Sequence, residues 1–129
     1  MRLSYTILYV KNVKDSVAFY EKAFHLKFRF IHESGLYAEM ETGGTTLAFS
    51  QFELIESLKV DFQKSNPKKP PLGSQITFEP DDVKKAYEYG CQHGAKPVKA
   101  PEVMPWGWEC AFVRDPDGFL IELAKECPK

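Results

Sequence analysis

The order strand, helix and then three strands occurs twice in this chain, on either side of the run Ser65-Asn66-Pro67-Lys68-Lys69-Pro70-Pro71. No other feature restricts the fold as much. Each copy makes a sheet with one bare face, and two such faces are stable when buried against each other. In the first copy, residues 3–10 are rich in β-branched and aromatic types, and both alternating sets are largely apolar, as in a strand covered on both faces. Asn12 caps a helix in which Val13, Val17, Tyr20 and Phe24 form one stripe, with Lys14, Asp15, Glu21 and Lys22 off it. Strands follow at 26–32 and 36–41, broken by Gly35. Gly43-Gly44 suits a two-residue hairpin, because both turn positions tolerate positive φ, and 45–50 is the returning strand.

Residues 51–71 differ in kind. Phe52, Leu54, Ile55 and Leu58 suit one short amphipathic helix, and the proline-rich run after them is a linker. The second copy then begins with a strand at 74–79. Asp81 or Asp82 caps a helix that sets Val83, Ala86, Tyr87, Gly90 and Cys91 on one face, and Gly94 stops it. Strands follow at 96–104, 108–114 and 119–124. The chain therefore reads as one α+β domain over 1–129, with a first module at about 1–50, a linker and short helix at 51–71, and a second module at about 72–125.

Charge and cysteine content exclude several functions. Lys+Arg 17 against Asp+Glu 18 leaves no basic field for nucleic acid. Three cysteines, Cys91, Cys110 and Cys127, form no CxxC pair, which argues against a disulfide framework or zinc knuckle and for a reducing compartment. The start, MRLSYTILYV, passes at once into charged residues and is not a signal peptide. No apolar run approaches the roughly 20 residues that span a bilayer. A cytoplasmic protein with no membrane partner is expected.

The most distinctive stretch is DPDGFLIEL, residues 115–123. Asp115-Pro116-Asp117-Gly118 is a turn signal, since proline presets φ and glycine accepts the positive φ that closes a turn. The strand after it is apolar apart from Glu122, a carboxylate that is expensive to bury unless cations or donors meet it. Glu122 is either a functional group or an ordinary paired glutamate.

Three stretches, TILYVKNVKDSVAFYEKAF, GSQITFEPDDVKKAYE and WECAFVRDPDGFLIEL, resemble the vicinal oxygen chelate superfamily, which includes glyoxalase I, extradiol dioxygenases, fosfomycin-modifying enzymes and bleomycin resistance proteins. The resemblance covers nearly the whole chain. It implies paired βαβββ modules whose mixed sheets curl around a cleft for a metal or ligand, commonly in a homodimer. Metal-binding members place ligands in the first, fourth, fifth and eighth strands, and the matching positions here are Tyr5, Ala48, Gln75 and Glu122. Gln75 and Glu122 are the metal candidates this implies. Tyr5 and Ala48 depart from the pattern, since alanine has no donor and a phenol ionises only near pH 10. None of His25, His32 and His93 falls at these positions. A divalent metal (Ni, Zn, Mn or Fe) is one expectation for the cofactor, and no cofactor is the preferred one.

Strand parity extends the reading of such a cleft. If Tyr5 faces it, so do Leu3, Ile7 and Tyr9, and if Gln75 does, so does Thr77. A hairpin at Gly43-Gly44 pairs Thr42 with Thr45 and hence Glu39 with Ala48. Thr46, Ala48, Ser50, Tyr37, Glu39 and Glu41 then share the cleft face, while Ala38, Met40, Leu47 and Phe49 turn to the helix. Glu39 thus stands where a family carboxylate is missing, as a displaced ligand, a general base or an acceptor for substrate; the alternative is a salt bridge with a nearby Lys or Arg. Glu122 and Glu39 are the catalytic candidates. Carboxylates left uncompensated on one cleft would repel each other.

Pro105-Trp106-Gly107-Trp108 reads as the hairpin between the sixth and seventh strands, where Trp106 and Trp108 offer a stacking surface for a flat ligand, or else plug the core or meet a second subunit. Tyr5, Tyr37 and Gln75 complete the expected ligand set. Arg114 holds a ligand anion or pairs with Asp115 or Asp117. Cys110 is a packed thiol with no base placed beside it. The leading expectation is a protein that binds a small, aromatic or partly polar molecule in a cleft whose metal site is reduced or lost. The alternative is a divalent-metal-dependent lyase or isomerase resembling glyoxalase I, so the sequence leaves open whether the chain is an enzyme. A third reading is an accessory domain whose aromatics serve protein association.

Overall fold

A computed structural model describes residues 1–129. The chain divides into two compact units, Met1–Ser65 and Asn66–Lys129. Each carries one mixed four-stranded sheet and few helices, an α+β architecture.

In the first unit the order is β1 (Tyr5–Val10), α1 (Val13–Phe24), β2 (Lys27–Ile31), β3 (Tyr37–Glu41), β4 (Thr46–Gln51) and the short α2 (Phe52–Ser57). The sheet order is β1-β4-β3-β2, with β1 parallel to β4 and the other pairs antiparallel. The Asn12 side chain accepts a hydrogen bond from the Asp15 amide at 3.0 Å, which satisfies one donor of the first turn of α1. Val13, Val17 and Tyr20 are buried on the inner face of α1, as the stripe predicts, together with Ser16, Phe19 and Ala23. Phe24 is only half-buried, because the helix ends beside it at His25 in the left-handed region, and its ring lies edge-on to Phe19. Tyr20 lies against Phe49 of β4, ring centres 5.1 Å apart, and both rings are buried. Each such side chain contributes about 2–3 kcal/mol by leaving water.

In the second unit the order is β5 (Gln75–Phe78), α3 (Val83–Gln92), β6 (Lys96–Val103), β7 (Trp108–Arg114) and β8 (Leu120–Glu126). The sheet order is β5-β8-β7-β6, again with one parallel pair, β5 and β8. Of the two cap candidates it is Asp82 that takes the Lys85 amide, at 3.0 Å. The helix closes with Ala95 N–H on the Gly90 carbonyl at 3.0 Å, and Gly94 takes the φ of +106° that lets the chain turn away.

The turn before β8 shows why its sequence is DPDG. Asp115 is 1% exposed, and its carboxylate accepts the Asp117 and Phe119 amides at 3.0 and 2.9 Å. Gly118 sits at φ +95° and returns its own N–H to the Asp115 carbonyl at 2.9 Å.

Candidate functional site

The register of β4 places the first group of candidates. Tyr5 pairs with Thr46, Ile7 with Ala48, Glu39 with Ala48, and Tyr37 with Ser50. Tyr5, Tyr37, Glu39 and Ala48 therefore share one face of the first sheet. Ala38, Met40, Leu47 and Phe49 are buried on the other face, toward α1. The hairpin at Gly43-Gly44 has the register that parity anticipates, and Glu39 stands directly across from Ala48.

Glu39 is not an uncompensated carboxylate. It is 8% exposed and holds two partners, Arg29 Nη1 on Oε1 at 2.9 Å and the Tyr37 hydroxyl on Oε2 at 2.8 Å. The same Arg29 nitrogen donates to Thr46 Oγ1 at 3.0 Å, while Arg29 Nε and Nη2 both reach Glu41 Oε2. Burial, then the hydrogen bond to Glu39 and the carboxylate's charge, push the Tyr37 hydroxyl well above its ordinary pKa. Tyr37 is thus a neutral donor rather than a base. Arg29 in turn draws Glu41 below the usual carboxylate range, with the Gly43 amide adding to the effect.

Arg29 was missed among the candidates, although alternation from Lys27, the partner of Glu41, puts it on the face of Glu39 and Glu41. Lys27 pairs with Glu41 and Phe28 with Met40, but Phe30 pairs with Glu39, so the register slips at a bulge between Phe28 and Phe30. Strict alternation would put Arg29 and Phe30 on opposite faces. The bulge lets Phe30 share the face of Glu39 while Arg29 also reaches that carboxylate. The one available signal was a lone arginine facing Glu39 and Glu41, two acids spaced by two on the neighbouring strand.

The second unit brings Gln75 and Glu122 together. Thr77 pairs with Glu122 across β5 and β8. Glu122 Oε1 accepts from Thr77 Oγ1 at 2.8 Å and from Gln75 Nε2 at 3.1 Å, and the same amide donates to Thr77 Oγ1 at 3.1 Å. Cys110, on the diagonal from Glu122, is a packed thiol 5% exposed. Burial raises its pKa, and the Glu122 charge and hydrogen bond raise it further.

The aromatic turn lies between β6 and β7 as expected. Met104 and Trp108 close it through a 2.7 Å backbone bond, Gly107 N–H meets the Met104 carbonyl at 3.0 Å, and Gly107 takes φ +86°. Trp106 is 70% exposed and Trp108 half-buried, so neither plugs the core of this unit. Arg114 lies at the far end of β7. It donates to the backbone carbonyls of Gly118, Asn66 and Pro67 at 2.9, 3.1 and 3.4 Å. The side chain pins the start of the second unit to the DPDG turn.

For the family's metal, the donor chemistry is poor. Ala48 contributes none, Tyr5 offers a phenol, and Gln75 turns its amide nitrogen, a donor, toward Glu122. In neither unit are three or more His, Cys, Asp or Glu side chains grouped to hold an ion. These residues do not fit the four-ligand centre.

Two βαβββ units, each with polar groups on the sheet face away from its long helix, define a glyoxalase-type fold. The chain belongs to the Glyoxalase/Bleomycin resistance protein/Dioxygenase superfamily, whose profile matches residues 2–123. It is similar to the uncharacterised protein YraH of Bacillus subtilis (strain 168), 28% identical over 126 residues, with 97% of this chain and 98% of that protein covered. Among solved structures it is similar to a glyoxalase-related enzyme from Fulvimarina pelagi (TM-score 0.82, 18% identity, 96% of this chain and 87% of that one). It is also similar to a protein of unknown function from Agrobacterium tumefaciens str. C58 (TM-score 0.77, 25% identity, 96% of this chain and 93% of that one). No helix is long and apolar enough to cross a membrane.

Proposed function

We propose that this chain binds a small, flat, partly polar molecule, as a homodimer in the cytoplasm, with the family's metal site reduced or lost. The observation that carries this reading is Trp106. A large aromatic 70% exposed on a turn closed by three backbone bonds, two across the turn and one from Cys127 N–H to the Gly107 carbonyl, is a rigid stacking surface that lacks a partner within its own unit. Trp108 extends it. The sheet face of the same unit supplies the polar side of recognition, with Gln75, Thr77 and Glu122. A ligand carbonyl or hydroxyl meets both donors and acceptors there. Membership in a superfamily named for a resistance protein as well as for enzymes supports the binding reading.

Both tryptophans of the chain stand on this one turn, so intrinsic fluorescence reports on it directly. Titration with a panel of antibiotics and aromatic metabolites should quench the emission saturably for at least one compound, and Trp106→Ala should weaken that binding tenfold or more, a stacking contribution of about 1–2 kcal/mol. Failure of every compound to quench would sink the stacking surface. Stoichiometric divalent metal in tag-free protein, lost in Glu122→Ala, would favour the lyase or isomerase reading instead.

A further inference from the structure

We infer that Arg29 is the resident cation of the first unit's polar face and keeps divalent metal ions out of it. This rests on the reading of a lost metal site and names the residue responsible. Thr46 is the strand partner of Tyr5, and Glu39 is the strand partner of Ala48. Arg29 Nη1 lies 3.0 Å from Thr46 Oγ1 and 2.9 Å from Glu39 Oε1. One guanidinium nitrogen therefore bridges the two rows in which the family's first and second ligand positions stand.

Three further observations favour exclusion over a vacancy. First, the cation is held: four N–H bonds run from Arg29 to Glu39, Glu41 and Thr46, leaving one N–H of the guanidinium's five uncommitted. It has little reason to swing away for an incoming ion. Second, Glu39 has one oxygen on Arg29 and the other on Tyr37, so the only buried carboxylate beside Ala48 is already neutralised. A metal there would meet the guanidinium's fixed positive charge beside a carboxylate whose two oxygens are both committed, and Glu41, the other acid on this face, is held by the same guanidinium. Third, arginine does not lose its proton in proteins, so no accessible pH opens the position. Alternation from Lys27, the partner of Glu41, sets Arg29 on this face, and the bulge between Phe28 and Phe30 adds Phe30 beside it.

The test is a gain of metal binding. Wild type, Arg29→Lys and Arg29→Ala/Ala48→Glu are prepared without a histidine tag and equilibrated with Ni²⁺ or Zn²⁺. Bound metal is measured by plasma mass spectrometry and affinity by calorimetry. The double variant removes the cation, frees Glu39 and adds a carboxylate at the vacant family position. It should retain metal at least about tenfold more tightly than wild type, while Arg29→Lys, which keeps the charge, should resemble wild type. Where the double variant does not fold in metal-free buffer, Arg29→Gln is scored in the same way. Equally weak binding in wild type and both neutral variants overturns the role of Arg29 alone and leaves small-molecule binding untouched. Stoichiometric metal on wild type overturns the inference together with the lost metal site.

Discussion

Replacing Arg29 with methionine should destabilise the protein by about 2–3 kcal/mol, and adding Glu39→Gln to that variant should lessen the loss. Stranding a fully buried charge by removing its partner costs about 3–5 kcal/mol. Here Glu39 is 8% exposed and keeps the Tyr37 hydroxyl, and the Arg29 side chain is 32% exposed, so solvent screens the pair and the figure falls to about 2–3 kcal/mol. Methionine retains most of the aliphatic stem, which leaves the lost charge as the main effect. Glu39→Gln alone exchanges a charge-assisted hydrogen bond for a neutral one, about 1–2 kcal/mol. In the double variant no charge is stranded, and the total should be about 1–2 kcal/mol, well short of the sum of the singles. Urea unfolding measures all four proteins. With a slope of about 1–3 kcal/mol per molar, Arg29→Met should move the midpoint down by roughly 1–2 M. Singles that add to the double within about 0.5 kcal/mol would refute the coupling, and with it the claim that the guanidinium compensates a buried carboxylate.

Gly118→Ala should be severe, because φ is +95° and the new Cβ would lie 2.7 Å from Arg114 Nη2 and 2.9 Å from the Pro67 backbone. A loss above about 2 kcal/mol, read as a fall of roughly 8 °C in Tm, is expected, and a change within about 2 °C would contradict the close approach. Among the three thiols, Cys110 should alkylate last in the folded protein, by peptide mapping after iodoacetamide, and Glu122→Gln should speed it by removing the neighbouring charge. A Cys110 rate unaffected by Glu122→Gln would argue against that electrostatic contact. The Glu41 carboxyl should titrate below its ordinary range by NMR and move up in Arg29→Met. A lowered carboxylate adds stability above its unfolded value and loses it as pH falls through its folded one, so the acid limb below about pH 4 should be steeper in wild type than in the variant. Superimposable acid limbs would remove the Arg29–Glu41 linkage.

Much of the fold was legible because its signals are local. A capped helix with a 3.6-residue stripe, a Gly-Gly hairpin and a proline-bearing turn each announce themselves within a few residues. The hairpin even carried tertiary information, since a two-residue loop sets the register and so places Glu39 across from Ala48. Strand ends shifted by one or two residues, as at β1, which starts at Tyr5 rather than at residue 3, because the last pairs depend on whether a partner strand extends that far. The site was less legible. Glu122 could be named but not its partners Gln75 and Thr77 as a hydrogen-bonded set. Arg29 could be tied to Glu39 only once β2 was paired with β3, and Arg114 turned to carbonyls 47 and 48 residues away.

The sequence by itself determined the two βαβββ units, the family, the DPDG turn and the parity of nearly every strand. Tertiary structure alone decided what the charged groups do. Periodicity is a property of neighbours along the chain, whereas an ion pair depends on which strands pair and in what register. Pairing of β2 with β3 set Arg29 beside Glu39, and so decided between a base or displaced ligand and the salt bridge that was the other reading of this carboxylate.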